Sequence, residues 1–598
     1  MKMRIMNIKR AGLVGAMGLM GVIGMLQAGC TDFLEIEPQN EIILEKFWTD
    51  KADVHDIITG CYSALQSEAN LKRMMVWGEF RSDHVYVGEN VNNDPDLEKV
   101  LVENIDAKNS YTNWDGFYDV INRCNTVILY APGVAAKDPA YTESELRADI
   151  AEVTALRSLA YFYLIRTFRD VPYSSQAFID DSQKMDLPAT KFEDVLDSLI
   201  VSLEAVKNDA VRRYPNTTPI YQTGRITRDA INAMLCEMYL WKQDYDNCIR
   251  YADLVIEAKK EVAEENRKLQ ASYSSSGGTD PYELTNGYPL IPSLISGTTF
   301  GNAYETIFGR DDNARRNEQE IIFQLVFNDN PQGSGMMANA AVNTFYGNGT
   351  ERIGLVAPPD FMLEERDAEA TNRVIFSGSN KKMDARMYEN FSTADKCIHK
   401  YTTDQITIDA TNQSPIPRYS SRYTKGQNGS NWIIYRLSDI MLMKAEALSQ
   451  KLLVGSDDEV VSHNKDILDQ AFTLVNAVNK RSVCQIQTRL TDTLVRSDYN
   501  TKELMEELVY RERQRELMYE GKRWYDLVRI SRRTGNTSDL SRAALRKAQT
   551  SASLIENKLS KMDAIYWPYN YEEVKVNKNL VQNPAFDSGE DKSYKKNY

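Results

Sequence analysis

Apolar positions recur at helical spacing in two separated blocks of this 598-residue chain and lose that spacing between them. In the first block, residues 47–65 read as a helix with Thr49 or Asp50 placed as its N-cap. Trp114, Phe117, Tyr118, Ile121 and Ile128 share a face of a second helix over 109–129. Residues 151–168 (AEVTALRSLAYFYLIRTF) repeat the pattern strongly and stop at Asp170-Val171-Pro172, where proline has no N–H to continue a helix. Residues 192–206 read as its partner, followed by 227–242 and 245–258. Alanines set among large aromatics, in helix pairs of about 34 residues, have the form of tetratricopeptide repeats. The second block holds 435–450, 465–481 and a helix from Lys502 onward.

Between the blocks, over 261–431, Gly, Ser, Asn, Asp, Pro and Tyr dominate and only short β-like runs occur, at 320–327 and 373–376. The chain therefore divides into an N-terminal helical region (30–260), a loop-rich insertion (261–431) and a C-terminal helical region (432–598). Long irregular segments on a helical frame are where binding residues concentrate. The closing segment 564–586 is irregular, with Pro and Asn.

Residues 506–529 (EELVYRERQRELMYEGKRWYDLVR) carry the densest charge. Glu507 and Arg511 stand four apart with the acid first, the favourable helical order, and Glu512 and Arg515 stand three apart. Interleaved signs suit a helix ion-paired to its own protein and argue against nucleic acid, as does a formal net charge of −14. Gly521 costs about 1 kcal/mol in a helix interior, which predicts a kink or a close backbone approach there.

The first 29 residues read as a lipoprotein-type signal peptide. Lys2, Arg4, Lys9 and Arg10 precede an apolar run over 11–26, short of the roughly 20 residues a membrane span needs. It ends in Leu26-Gln27-Ala28-Gly29-Cys30, small residues before a cysteine that resemble a lipobox. Cys30 is the expected lipidation site. Six cysteines remain (Cys61, Cys124, Cys236, Cys248, Cys397, Cys484) without CxxC or zinc-like spacing. Export permits disulfides, but the sequence does not pair these six.

With the lipobox, several segments in order resemble the SusD/RagB family of nutrient-binding outer-membrane lipoproteins. They are FWTDKADVHDIITGCYSAL; Trp114, Tyr118, Ile121-Asn122 and Asn125; ALRSLAYFYLIRTFRDVPY; GRITRDAINAMLCEMYLW; DARMYENF; YRLSDIMLMKAEAL; RERQRELMYEGKRWYDLVR; and LVQNPAF. Lys522 and the closing Ala585-Phe586 depart from the family, which often has His and Gly-Tyr there. The resemblance implies a mostly α-helical fold: a tetratricopeptide-like scaffold of four helix pairs with a loop-rich, partly β insertion bearing the ligand. It implies a surface-exposed, lipid-anchored outer-membrane protein that hands an oligosaccharide to a SusC-like TonB-dependent transporter, without catalysis. A secreted glycan-processing enzyme, or a transporter subunit that binds peptides or has little affinity of its own, are the alternatives.

No nucleophile elbow, Walker A loop, dinucleotide fingerprint or HExxH occurs, and the four His are scattered, so neither cofactor nor metal is expected. Acidic pairs such as Asp311-Asp312 and Glu364-Glu365 are what 85 acids produce by composition. A sugar binder instead needs aromatic faces for C–H surfaces and planar polar groups for hydroxyls on a fixed wall. The stretch from Arg81 to Asn93 offers Asp83, Tyr86, Asn92 and Asn93; in the family, the loop after the equivalent Asp contributes to the ligand face. The insertion offers Tyr304, Phe308, Phe345, Tyr346 and Tyr388. Trp114, Trp241, Trp432 and Trp524 lie on or beside scaffold helices and read as core.

Overall fold

The periodic blocks form the expected helices. The structure, a computed structural model, describes residues 47–586 except 181, 272–283, 297–298, 302, 310–316, 328–337, 350–351, 364–374, 376–383, 393, 410–413, 419–427, 456, 483–493 and 548–551. Cys30 and its leader, Asp311-Asp312, Glu364-Glu365, Cys484 and all of the 373–376 run but Ile375 lie outside the described residues. From Trp48 onward the chain forms one unit, to which all the elements belong.

Helix α1 (Lys51–Leu65) starts at Asp50, whose carboxylate accepts the Ala52 and Asp53 N–H groups while Asp53 reaches back in a capping box. The short α2 (Glu68–Met75) follows. Then come α3 (Asp115–Ala135), α4 (Glu143–Phe168), α5 (Phe192–Val206), α6 (Arg228–Lys242) and α7 (Tyr245–Ala271). Thr142 with Glu145 caps α4 as a second capping box, and Thr227 caps α6. Helix α7 runs well past Ala258, through a charged stretch. The C-terminal block supplies α8 (Leu437–Gln450), α9 (Asp458–Ser482), α10 (Lys502–Glu516), α11 (Arg523–Thr534) and α12 (Ser538–Arg546).

Each long helix packs on the next: α1 on α3, α3 on α4, α4 on α5, α5 on α6, α6 on α7, α7 on α8 and α8 on α9. That makes four successive pairs, the last of which belongs to the second block, so the insertion interrupts the repeat array between its third and fourth pairs. The fold is mostly α, as the sequence implies. Helices α4 and α6 are buried almost all round, including Arg157, Arg166 and Glu237, because both faces meet neighbours. Trp114, Trp241, Trp432 and Trp524 are core residues, each no more than 4% exposed.

Short strands lie in the insertion and on either side of it: β1 (Tyr86–Val87) before it, β2 (Leu294–Ser296), β3 (Thr299–Gly301), β4 (Ile321–Leu325), β5 (Val356–Ala357), β6 (Gln405–Asp409) and β7 (Ser414–Arg418) within it, and β8 (Trp432–Arg436) at the start of the C-terminal region. Strands β2, β3, β6 and β7 form an antiparallel sheet in that order, β4 pairs with β8, and β1 pairs with β5. The pairing of β4 with β8 corrects one expectation: Tyr435 and Arg436 end a strand, and the helix read from 435 begins at Leu437. The Trp-Ile-Ile-Tyr run favours a pleated, fully buried strand over a helix.

The N-terminus of α11 meets the segment after α2. There the chain makes a single π-helical turn (Val76–Phe80), and Gly78 lies so close to Gly521 that a Cβ on it would stand 1.9 Å from the Gly521 carbonyl oxygen. Gly521 itself has φ +70°, which favours glycine. The close approach expected at Gly521 is therefore present.

Gly78→Ala should cost about 3 kcal/mol, the upper range for overpacking, because the obstructing atom is backbone. Gly133→Ala on the exposed end of α3, where a Cβ meets nothing within 4 Å, should instead gain about 0.5–1 kcal/mol. Urea unfolding midpoints of the two variants, moving in opposite directions, check both.

Candidate functional site

The strand pairing of β1 with β5 brings the two sequence-nominated stretches together: Tyr86 stands opposite Ala357 and Val87 opposite Val356. Gly88 continues the ribbon, its N–H donating to the Leu355 carbonyl at 3.0 Å, and a Cβ there would strike the Gly354 and Leu355 carbonyls at 2.8 Å. Beyond it, a 3-10 turn (Val91–Asn93) exposes Asn92 and Asn93, while Tyr86 is half-buried.

Arg352 ties this rim together. Its Nη1 donates to Glu89 Oε1 at 2.7 Å and its Nε to the Asp395 carbonyl at 3.0 Å, while its own carbonyl accepts from Asn90 Nδ2 at 3.0 Å. Three loops thus converge on one guanidinium: the one after β1, the one before β5 and the one holding Asp395. Arg352, Ile353, Asp395 and Lys396 are all exposed here. Sequence reasoning did not nominate Glu89, Arg352 or Asp395. The available signal was the Gly347, Gly349 and Gly354 cluster, which marks close backbone approach rather than a site.

Beneath the rim lie nominated residues that are buried. Phe345, fully buried on the short helix Ala340–Tyr346, meets the Phe80 ring edge-on at 4.9 Å. Tyr346 donates its hydroxyl to the Tyr519 carbonyl at 3.1 Å. Tyr304 donates to the His399 carbonyl at 2.7 Å, and Phe308 carries the Lys400 ammonium 4.4 Å above its ring. Tyr388 is half-buried on the short helix Arg386–Asn390, and its carbonyl accepts from His399 Nδ1 at 2.8 Å. The structure therefore groups Tyr86, Asn92 and Asn93 at the rim, places Phe345 and Tyr346 below them, and sets Tyr304 and Phe308 apart around Lys400.

Asp83 is wholly buried. It accepts from Arg523 Nε and Gln514 Nε2, both at 3.0 Å, and from Arg546 Nη1 at 3.3 Å. Burial pushes its carboxyl up, but Arg523 above all, with His84 and Arg546, overrides this and holds it well below the usual carboxylate range. Arg81 is equally enclosed, donating to Glu103 and to the Ala564 and Ile565 carbonyls with its guanidinium 4.2 Å from the Trp524 ring. These two charged groups fasten the rim's stem to the C-terminal block.

A depression of about 370 Å³ lies between α10, α11 and α12, away from the rim. Its floor includes Leu527, Ile530 and Ala543, and its charged edge is already paired internally, Glu507 with Arg511 and Asp539 with Arg542. Among the described residues no group of three or more His, Cys, Asp or Glu is arranged to hold a metal ion, and no helix is long and apolar enough to cross a membrane.

Known proteins share this architecture. The model of the SusD family matches residues 301–586. SusD-like protein P38 of Formosa agariphila is 24% identical over 537 residues, which span 84% of this chain and 88% of that protein. A SusD superfamily protein from Bacteroides thetaiotaomicron has a crystal structure that superposes with a TM-score of 0.60 at 21% identity, covering 90% of this chain and 99% of the other. The surface glycan-binding protein A of the same organism, solved in complex with laminarihexaose, gives 0.55 at 17% identity, covering 90% and 100%. At these identities the two structures speak to the fold.

Asp83→Asn should destabilise the protein by about 3–5 kcal/mol, because Arg523 and Arg546 would face a neutral amide in a buried setting. The Asp83 pKa is lowered on folding, so its contribution is full above the unfolded value of about 3.9 and is lost as pH falls below it. Denaturation between pH 6 and acid should show a shallower acid limb in the variant.

Proposed function

Because the chain belongs to the SusD/RagB family, we propose that it is a glycan-binding protein of the cell surface, which captures an oligosaccharide and passes it to a SusC-like TonB-dependent outer-membrane transporter. The observation that carries the reading is the convergence of three loops at Arg352 above a packed aromatic layer. The rim offers planar amides at Asn92 and Asn93, a half-buried ring at Tyr86 and the exposed Arg352 head, the mixture that sugar hydroxyls and C–H faces require. Proteins of similar fold include a laminarin-binding SusD-like protein and the laminarihexaose complex, which supports a glycan as the ligand class.

On this reading the protein binds without cleaving. Its anchor is the lipid on Cys30, since one cysteine bearing several acyl chains holds a soluble body stably at a membrane, whereas a single chain does not. The helical repeat array is the transporter-facing frame and the insertion the ligand-facing one. Tyr388, half-buried on a neighbouring turn, is assigned a peripheral part of the same face. Asp83, Tyr304, Phe308, Phe345 and Tyr346 act from beneath it, fixing the position of the loops.

Isothermal titration against a panel of glycans and peptides tests the reading. A glycan should bind, Tyr86→Ala and the double change Asn92→Ala with Asn93→Ala should each weaken it about tenfold, roughly one hydrogen bond's worth, and chromatography should find the glycan intact. Cleaved product would replace the proposal with an enzyme; peptide binding, or silence across the panel, would replace it with the corresponding transporter-subunit role. Cys30→Ala should abolish incorporation of labelled fatty acid and release the protein from the membrane fraction; retention without label would refute the anchor.

A further inference from the structure

Four of the buried cysteines, all free thiols, lie in two pairs on helices that pack on each other. Cys236 on α6 and Cys248 on α7 are 12 residues apart in sequence, both fully buried, with their sulfurs 3.7 Å apart. Cys61 on α1 and Cys124 on α3 are also fully buried, on two helices that pack directly on each other, and the neighbouring Cys61 is one of the groups that, after burial, push the Cys124 thiol up. Each pair lies where two successive helices of the repeat array pack together. Small side chains let the helices approach closely there, and the 3.7 Å between Cys236 and Cys248 is within reach of the bonded separation of about 2.05 Å.

We propose that the exported protein carries two disulfides, Cys61–Cys124 and Cys236–Cys248, each stapling one helix pair of the scaffold. The inference rests on the export reading, because only an oxidising compartment makes such bridges. The oxidant is a disulfide, of a protein or a small molecule. One cysteine thiolate attacks a sulfur of that disulfide, forming a mixed disulfide and expelling one thiolate. The facing cysteine's thiolate then attacks the cysteine sulfur of the mixed disulfide and expels the second. Two protons pass to the two leaving thiolates, so the pair loses two electrons and the oxidant is reduced to two thiols.

Both pairs are closed to solvent in the folded protein, so the bridges form while the helix pairs are still assembling. For the same reason they then resist reductant until the protein unfolds. Burial also pushes the Cys124 and Cys236 thiols well up, so whatever remains unbridged is inert as a nucleophile. The hairpin of α6 and α7 closes a short loop and the α1–α3 pair a longer one, so the Cys236–Cys248 bridge should form first.

The test uses the full chain expressed with its own leader in a bacterium with an outer membrane, unfolded in excess maleimide without reductant, digested and analysed by mass spectrometry. The expected result is two linked peptides, Cys61–Cys124 and Cys236–Cys248, each lighter by two hydrogens than the reduced pair and absent after reduction. Cys236→Ala should free Cys248 for labelling and leave the Cys61–Cys124 peptide linked. Maleimide on all four cysteines of chain recovered from the envelope would overturn the disulfides while leaving export intact. Should the chain remain in the cytoplasm, the export reading fails. The same chain refolded in a glutathione redox buffer then decides the pairing: the same two peptides support it, and free or exchanged thiols overturn it.

Discussion

The N-terminus of α11 has no capping side chain of its own; the group that serves it comes from more than 400 residues earlier. Glu79, wholly buried, accepts the Tyr519 N–H at 2.9 Å, the Lys522 N–H at 3.1 Å and the Arg523 N–H at 3.3 Å, and also meets His84 Nδ1. A carboxylate is the right occupant, since the first turn of a helix presents unsatisfied N–H groups and the positive end of its dipole. To deliver it, the π-helical turn presses Gly78 against Gly521, leaving no room for a side chain at Gly78, while the positive φ of Gly521 favours glycine there. The placement of the rim loops is referred to this junction, because β1 begins at Tyr86, a few residues beyond Gly78, after Arg81 and Asp83 have made their own attachments to the same block.

A second layer of buried charge extends the junction into the insertion. Glu516, at the end of α10, accepts from Arg436 at 2.5 Å and Arg386 at 3.0 Å, and also from Arg481. Those three cations arrive from strand β8, the short helix Arg386–Asn390 and helix α9. Burial favours the neutral acid, but Arg481, Arg436 and Arg386 together hold it ionised and its carboxyl well below the usual range. Arg513 and Arg529 repeat the arrangement with Asp439, Asp526 and Glu446. Such groups gain little net stability over apolar packing, yet losing one partner leaves a buried charge exposed to nothing that can answer it. Their effect is to admit one mutual placement of scaffold and insertion and to penalise others.

Much of the scaffold was legible in the sequence because helical burial repeats every three to four residues, and the ion-paired role of residues 506–529 followed from alternating signs. Glu507–Arg511 and Glu512–Arg515 both form as spaced. What local pattern could not supply was partnership across hundreds of residues. Asp83 reads in sequence as a polar loop residue, and only Arg523, Gln514 and Arg546, arriving from the far end of the chain, make it interior. Tyr435 and Arg436 look helical beside Leu437 until β4 is available to pair with them. The same limit applied to Arg352: nothing adjacent to it in sequence discloses that Glu89 and Asp395 will stand on either side.

The Arg352 clip differs in kind from the junction below it. Its partner Glu89 is mostly in water, and exposed ion pairs contribute at most about 1 kcal/mol, against several for a buried charge left alone. The molecule is therefore held by buried charge where residues 79–83 meet the C-terminal block, and only by exposed pairs where the loops meet. A lineage could exchange Asn92, Asn93, Ile353 or Lys396 for other residues at almost no cost to folding, while the frame tolerates nothing larger than hydrogen at Gly78. A fold arranged this way separates inheritance into a fixed chassis and an interchangeable face.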